Sequence, residues 1–247
     1  MRRIHVLTGP LTVALAGAAV LAATTSADAA VGKPTVGECR TITSGEAAAR
    51  TNTTGPVACT KAHDDRVIAV PHLPKGVSWS SLSDRQVAKQ GVKACYPALR
   101  KAVGQTDRVR DRSAYDFVFF QPTAAQVAAG ARWLRCDLVL RHGNTLADLP
   151  TDRTPALSGL PGDKVARCLK GTNFVATTCA SKHSYRATGS FTVSSKTYPG
   201  RSALVRIGRA KCPSRVHSTF FRFSWQPRLI WSLVHDRTMV CYTKTSG

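Results

Sequence analysis

The sequence predicts an α+β fold of two tandem, disulfide-stapled modules, each a mainly antiparallel sheet with one packed helix. Three observations carry this. Eight cysteines fall four to each half, at 39, 59, 95 and 136 and then at 168, 179, 212 and 241. Local contexts repeat around them. Hydrophobic content of 43% in 247 residues is enough to bury a core, which excludes a disordered or collagen-like chain.

The repeat shows in three registers. Cys59 to Arg66 and Cys179 to Arg186 share the pattern C-x3-H-x2-R, with His63 and His183 marking each copy. Gly91 and Cys95 match Gly208 and Cys212, each pair followed by a proline, Pro97 or Pro213. Pro122 and Pro227 each stand fourteen residues before a cysteine, Cys136 or Cys241, with Arg132 and Arg237 at the same offset. A tandem duplication follows, with module 1 over 30–150, a Pro/Gly/Thr-rich linker over 151–162 and module 2 over 163–247.

The first residues are set apart from both modules. Arg2 and Arg3, the apolar run Leu11 to Ala23, and Ala27-Asp28-Ala29 have the order of a secretory signal peptide, expected over 1–29. The apolar run is only 13 residues, too short to span a bilayer, and no later run reaches the ~18 that a spanning helix needs. The mature chain is therefore expected to be secreted, at the cell wall, without a transmembrane segment. In that compartment an even cysteine count favours disulfides, and copies that fold alone should pair within themselves. The expected bridges are Cys39 with Cys59, Cys95 with Cys136, Cys168 with Cys179 and Cys212 with Cys241.

Local patterns fill in each module. Arg66 to Val70 and Arg186 to Val193 are β-branched runs after a cysteine, so the first bridge ties two strands or a strand and its lead-in. Val87, Gly91, Cys95 and Leu99 recur at helical spacing behind Ser83 and Asp84, and Leu204, Gly208 and Cys212 repeat the stripe. Pro97 and Pro213 should end or kink these helices. Tyr115 to Phe120 and Phe220 to Trp225 are aromatic strands, each closed by Gln-Pro. A short helix from Pro122 or Pro227 then leads to a last strand, Trp133 to Leu140 or Thr238 to Thr243. Trp133, Trp225 and Trp231 are expected in the core.

These residues resemble the septum formation family of exported actinobacterial proteins, whose repeat opens V-G-D-C, continues C-x2-P-H and closes W-x-A-G-x-R-W-x-R-C-D. Val36 to Cys39 matches the opening, Cys59 to His63 the middle and Gln121 to Asp137 the closing, covering most of 36–140. The second copy is diverged: Val165 to Cys168 replaces V-G-D-C, and His235 and Thr238 stand for Gly130 and Trp133. The resemblance implies an association with cell division and brings no catalytic residues with it.

Chemistry is sparse. No G-x-S-x-G motif is present, and all eight cysteines are expected in pairs, so no nucleophile is expected. Zinc at C-x3-H would need further thiolates, so neither metal nor cofactor is expected. The second copy has three acids, Asp152, Asp163 and Asp236, too few for a two-carboxylate site. Asp64, Asp65, Asp84, Asp111 and Asp116 read as solvated loop charge.

Charge is the strongest functional signal. The chain has 35 Lys+Arg against 14 Asp+Glu, a net +21, of which 151–247 holds +13 and 30–150 holds +7. Arg201, Arg206, Arg209, Lys211 and Arg215 avoid the buried stripe and should form an exposed basic face, suited to gripping phosphate or carboxylate. The expected partner is therefore an anionic cell-wall polymer or a cell-surface division partner, bound without catalysis; export argues against nucleic acid. The alternative is a cell-wall-modifying enzyme acting between the two modules.

Overall fold

The computed structural model describes residues 32–151 and 155–245, so the segment 1–29 lies outside the described residues. The first half forms an antiparallel sheet of β1 (Cys39–Arg40), β2 (Asp65–Ala69), β3 (Tyr115–Phe120), β4 (Arg135–His142) and β5 (Thr145–Ala147). Its order is β1-β2-β4-β3, with β5 paired to β4. The second half contributes β6 (Arg167–Lys170), β7 (Val175–Thr178), β8 (Tyr185–Thr192), β9 (Phe221–Trp225) and β10 (Thr238–Lys244), in the order β7-β6-β8-β10-β9. The α+β expectation holds, and with β5 and β7 set aside the two sheets run in the same order.

Helices cover the sheets. They are α1 (Ser44–Ala48), α2 (Asp84–Val103), α3 (Asp107–Arg110), α4 (Ala124–Ala128), α5 (Arg201–Lys211) and α6 (Arg228–Val234). A capping box between Ser83 and Gln86 starts α2, and Gly104, with φ 73°, ends it. Val87, Gly91, Cys95, Leu99 and Val103 face inward along it, and Leu204, Gly208 and Cys212 do the same for α5. The helices are pulled close to their sheets by the same device. A Cβ on Gly91 would fall 2.4 Å from the Phe119 ring, and one on Gly208 2.4 Å from the Phe223 ring.

Pro97 does not end its helix. The chain stays helical to Val103, because Leu99 and Val103 beyond it are buried and the preceding Cys95 is bonded to β4. Burial of two apolar side chains, ~1.5–3 kcal/mol each, outweighs one lost backbone hydrogen bond. Pro213 does follow a helix end, opening a 3-10 turn at Pro213–Arg215.

Four disulfides join Cys39–Cys59, Cys95–Cys136, Cys168–Cys179 and Cys212–Cys241, each within one half. The first ties the edge strand β1 to the loop that crosses it, Cys39 bridging Val57, and the third ties β6 to the end of its neighbour β7, Cys168 pairing with Thr177; each paired residue stands two before the partner cysteine. The second fastens the middle of α2 to β4, and the fourth fastens the C-terminal cap of α5 to β10. His63 and His183 sit alike, Nδ1–H donating to Lys61 O at 2.8 Å and to Ser181 O at 2.7 Å.

The halves pack together. Ile230, with Leu229 and Leu233 of α6, enters the core formed by Val92, Tyr96, Leu99 and Val103 of α2. Backbone bonds cross as well, Ala114 N–H to Val165 O and Arg167 N–H to Arg112 O, both 2.8 Å. The connecting segment is pinned at one point: Ala156 and Leu157 are buried and donate to Ala102 O and Val103 O at the end of α2.

Candidate functional site

Leu204, Gly208 and Cys212 seat α5 on its sheet and so decide which residues face water. Arg201, Arg206, Arg209 and Lys211 are exposed. At 100° per residue Arg206 and Arg209 stand about 60° apart on the outward side. Lys211 lies on the flank, its Nζ 5.6 Å from the Phe191 ring centre. Arg215 behaves differently from the other four. It is half-buried in the 3-10 turn, donates from Nη1 to Lys211 O at 2.6 Å and to Ser214 Oγ at 2.8 Å, and stacks over Phe191. It closes the helix end, leaving the outward charge to the other four.

Among the described residues no carboxylate neutralises that face. Of the second half's described acids, Asp163 pairs with Arg186 at 2.5 Å and Asp236 is fully buried. Exposed unpaired cations of this kind attract polyanions through a salt-sensitive field.

Cys168, Cys179 and His183 bring possible ligand atoms within 4.8 Å of one another. Both sulfurs are joined in the disulfide and His183 Nδ1 is held by Ser181 O, so the group offers no thiolate to a metal. In the first half His63 is fully buried, and Arg66 Nη2 reaches its Nε2 at 3.3 Å. Trp133 and Trp231 are buried, and Trp225 is half-buried with Nε1–H donating to Tyr198 OH.

A cleft of about 770 Å³ opens between the halves, with Tyr115 to Phe119 on one side and Leu169, Ser224 and Tyr242 on the other. A buried ionic clasp closes one end. Arg110 donates to Asp107 at 2.6 Å, to Asp236 at 2.7 Å, to Tyr96 OH at 3.0 Å and to Asp111 at 3.2 Å. Tyr96 OH also donates to Asp236, and Gln226 Nε2 to Asp111 at 2.6 Å. Burial, with the Asp236 charge beside it, pushes the Asp111 carboxyl up to about 7. Asp107 is only half-buried; burial works against its charge, but Arg110 and Arg100 hold its carboxyl below the usual range.

A second buried ionic set lies in the first half. Asp65 and Asp137 sit diagonally on neighbouring strands, fully buried, with Arg135 Nε donating to Asp137 at 2.7 Å and Arg40 paired across from Asp65. Burial and the nearby Asp137 charge push Asp65 up to about 9. Asp65 therefore carries the proton near neutral pH and shares it with Asp137.

The acids expected as loop charge divide. Asp65 and Asp111 are buried, contrary to that expectation, because β2 and the inter-half contact enclose them. Asp64 and Asp116 are half-buried, held by Ile42 N–H and by Arg141 Nε, and Asp84 is exposed beside Arg50.

A family model described as septum formation matches residues 78–221. The chain belongs to the septum formation family. The match covers α2 through the start of β9 and so crosses both halves in one span, leaving Val36 to Cys39 and Cys59 to His63 outside it. Both the clasp and α5 fall inside that span, apart from Asp236 and Gln226. No curated protein and no solved structure matches the chain. Among the described residues of this septum formation family protein, no helix is long and apolar enough to cross a membrane.

Proposed function

We propose that this septum formation family protein is exported, consists of two tandem copies of one domain with the second diverged, and works at the cell surface without catalysis of its own. It docks on anionic cell-wall polymer, or on an acidic division partner, through Arg201, Arg206, Arg209 and Lys211. The unpaired cations of α5, on a helix bolted to its sheet by Cys212–Cys241, are the observation that carries this reading. The charge imbalance of the second half and its four disulfide-committed cysteines support it.

The test is a pull-down on purified sacculi, with and without their anionic polymers, across a salt series. Retention that disappears on stripping the polymers or at high salt supports the reading, as does loss of retention in the double variant Arg206→Glu, Arg209→Glu. Salt-independent retention points instead to a shaped glycan or peptide site.

The competing reading, an enzyme acting between the halves, draws on the cleft and on the raised Asp111. The acids there are tethered, Asp111 by Arg110 and Gln226 and Asp116 by Arg141 and the Phe117 N–H, which favours a structural role. Release of muropeptides by the purified chain is the result that reverses this preference.

A further inference from the structure

We propose that the cleft between the halves is a docking site for an extended peptide segment, which adds as a strand to the outer edge of β3. The sheet order leaves β3 at an edge, paired only with β4. Exposed edges are templates for further pairing, and chains blunt them with Lys, Pro or bulges. Tyr115–Phe120, reading YDFVFF, has neither residue, and its register against β4 runs without a shift. This edge faces into the cleft between the halves.

The cleft meets the edge itself. A cavity over one face of a strand touches alternate residues, whereas all of Tyr115 to Phe119 line this one. Backbone bonds identify the outward groups. Phe117 N–H donates to its neighbour Asp116 Oδ1 at 2.8 Å, and Gln121 N–H donates to Arg50 O at 2.9 Å. Both therefore point away from β4. Alternation places Phe119 N–H and C=O on that same side, and among the described residues neither makes a backbone bond outside the β3–β4 ladder. Arg50 O already occupies the next position along the edge, as an added strand would.

A volume of about 770 Å³ lies within the range of sites that enclose a small ligand. A strand there would send alternate side chains toward Val87 and Ala88 of α2 and toward Ala47 to Ala49. Main-chain bonds would supply affinity and these two walls the side-chain preference, which is small and apolar.

The experiment titrates the 15N-labelled protein with a blocked hexapeptide alternating valine and threonine, with one lysine for solubility. The expected result is saturable shifts at Phe117 and Phe119 with slowed exchange of the Phe119 amide. The same peptide N-methylated at alternate residues cannot donate, and should bind about tenfold more weakly or worse. Ala88→Trp, which narrows the cleft, should abolish the shifts, while Ala88→Ser should keep them. Absent shifts, shifts scattered away from the cleft, or equal binding of the N-methylated peptide overturns the proposal. Sacculus retention should be untouched by Ala88→Trp, and peptide binding by Arg206→Glu with Arg209→Glu, so the two readings fail independently.

Discussion

The two halves place opposite chemistry on one matched face of the sheet. Aligned on their cysteines and histidines, Arg40, Asp65, Val67, Arg135 and Asp137 of the first half correspond to Leu169, Tyr185, Ala187, Val240 and Tyr242 of the second. The first set is buried and mostly charged; the second forms an apolar cluster. What differs is the cover. Cys39 and Cys59 are 20 residues apart and enclose α1, whose loop lies over that face and offers Thr54 O to Arg40 and Asn52 Oδ1 to Arg135. Cys168 and Cys179 are only 11 apart, and that face turns toward the cleft and the other half. A buried ionic set is rarely more stable than a well-packed apolar one. The frame therefore tolerates either, provided something covers the face, and the cover is set by the loop.

The comparison breaks most visibly at the helix bridges. Replacing Cys95 and Cys136, or Cys212 and Cys241, by alanine should cost about 4 kcal/mol in either half by denaturant unfolding. The longer loop, 41 residues against 29, should lose about 0.3 kcal/mol more. A gap above about 1 kcal/mol between the halves would show that the matched bridges do unequal work.

Next comes the clasp, which exists once because Asp236 stands where the first half has Ala131. Asp236→Ala leaves Arg110 buried with one carboxylate fewer and should cost about 3 kcal/mol. Unchanged stability would mean that Asp107 and Asp111 alone satisfy Arg110.

A pH response comes from the buried acids of the first half. Asp65 is pushed up to about 9, above its unfolded value, so the folded state holds a proton that the unfolded chain releases. Its contribution is complete below about pH 4 and is lost as pH rises toward 9. Asp111, up to about 7, acts in the same sense over a narrower window. Relative to the native chain, Asp65→Asn should therefore gain about 2 kcal/mol in unfolding free energy between about pH 6.5 and 8. Parallel curves for the two proteins would remove Asp65 as the source.

Smaller effects test equivalence. Gly91→Ala and Gly208→Ala should each cost about 1–2 kcal/mol, overpacking against Phe119 or Phe223 being partly offset by better helix propensity. Smallest for stability, within about 0.5 kcal/mol, is Arg206→Glu with Arg209→Glu, whose effect belongs to polyanion binding.

Much of this frame was legible beforehand. Tyr115–Phe120 appears with the expected bounds, and G-x3-C marks both helices because glycine lets an aromatic ring approach while cysteine anchors the next turn. Pro97 misled because tertiary burial outweighs one broken bond. The short β7 has too few residues for a pattern to register. Asp65 did carry a signal: two residues before Val67 on a strand, it shares that residue's inward face. The clasp carried none, since Tyr96 and Asp236 are 140 residues apart and no local period links them. The exposure of Arg201 to Lys211 followed from the stripe, whereas Arg215 folds back on the helix end through a contact that spacing does not encode.

The cysteine connectivity has a consequence for how the chain matures. Each cysteine is bonded to the next one along the sequence, 39 to 59, 95 to 136, 168 to 179 and 212 to 241. Eight cysteines allow 105 pairings, and this is the one that results when an oxidase joins thiols strictly in order of their emergence. Were the chain threaded from its N-terminus into an oxidising space, joining thiols in that order would give the final bonding without a shuffling step, synthesis order acting as the template.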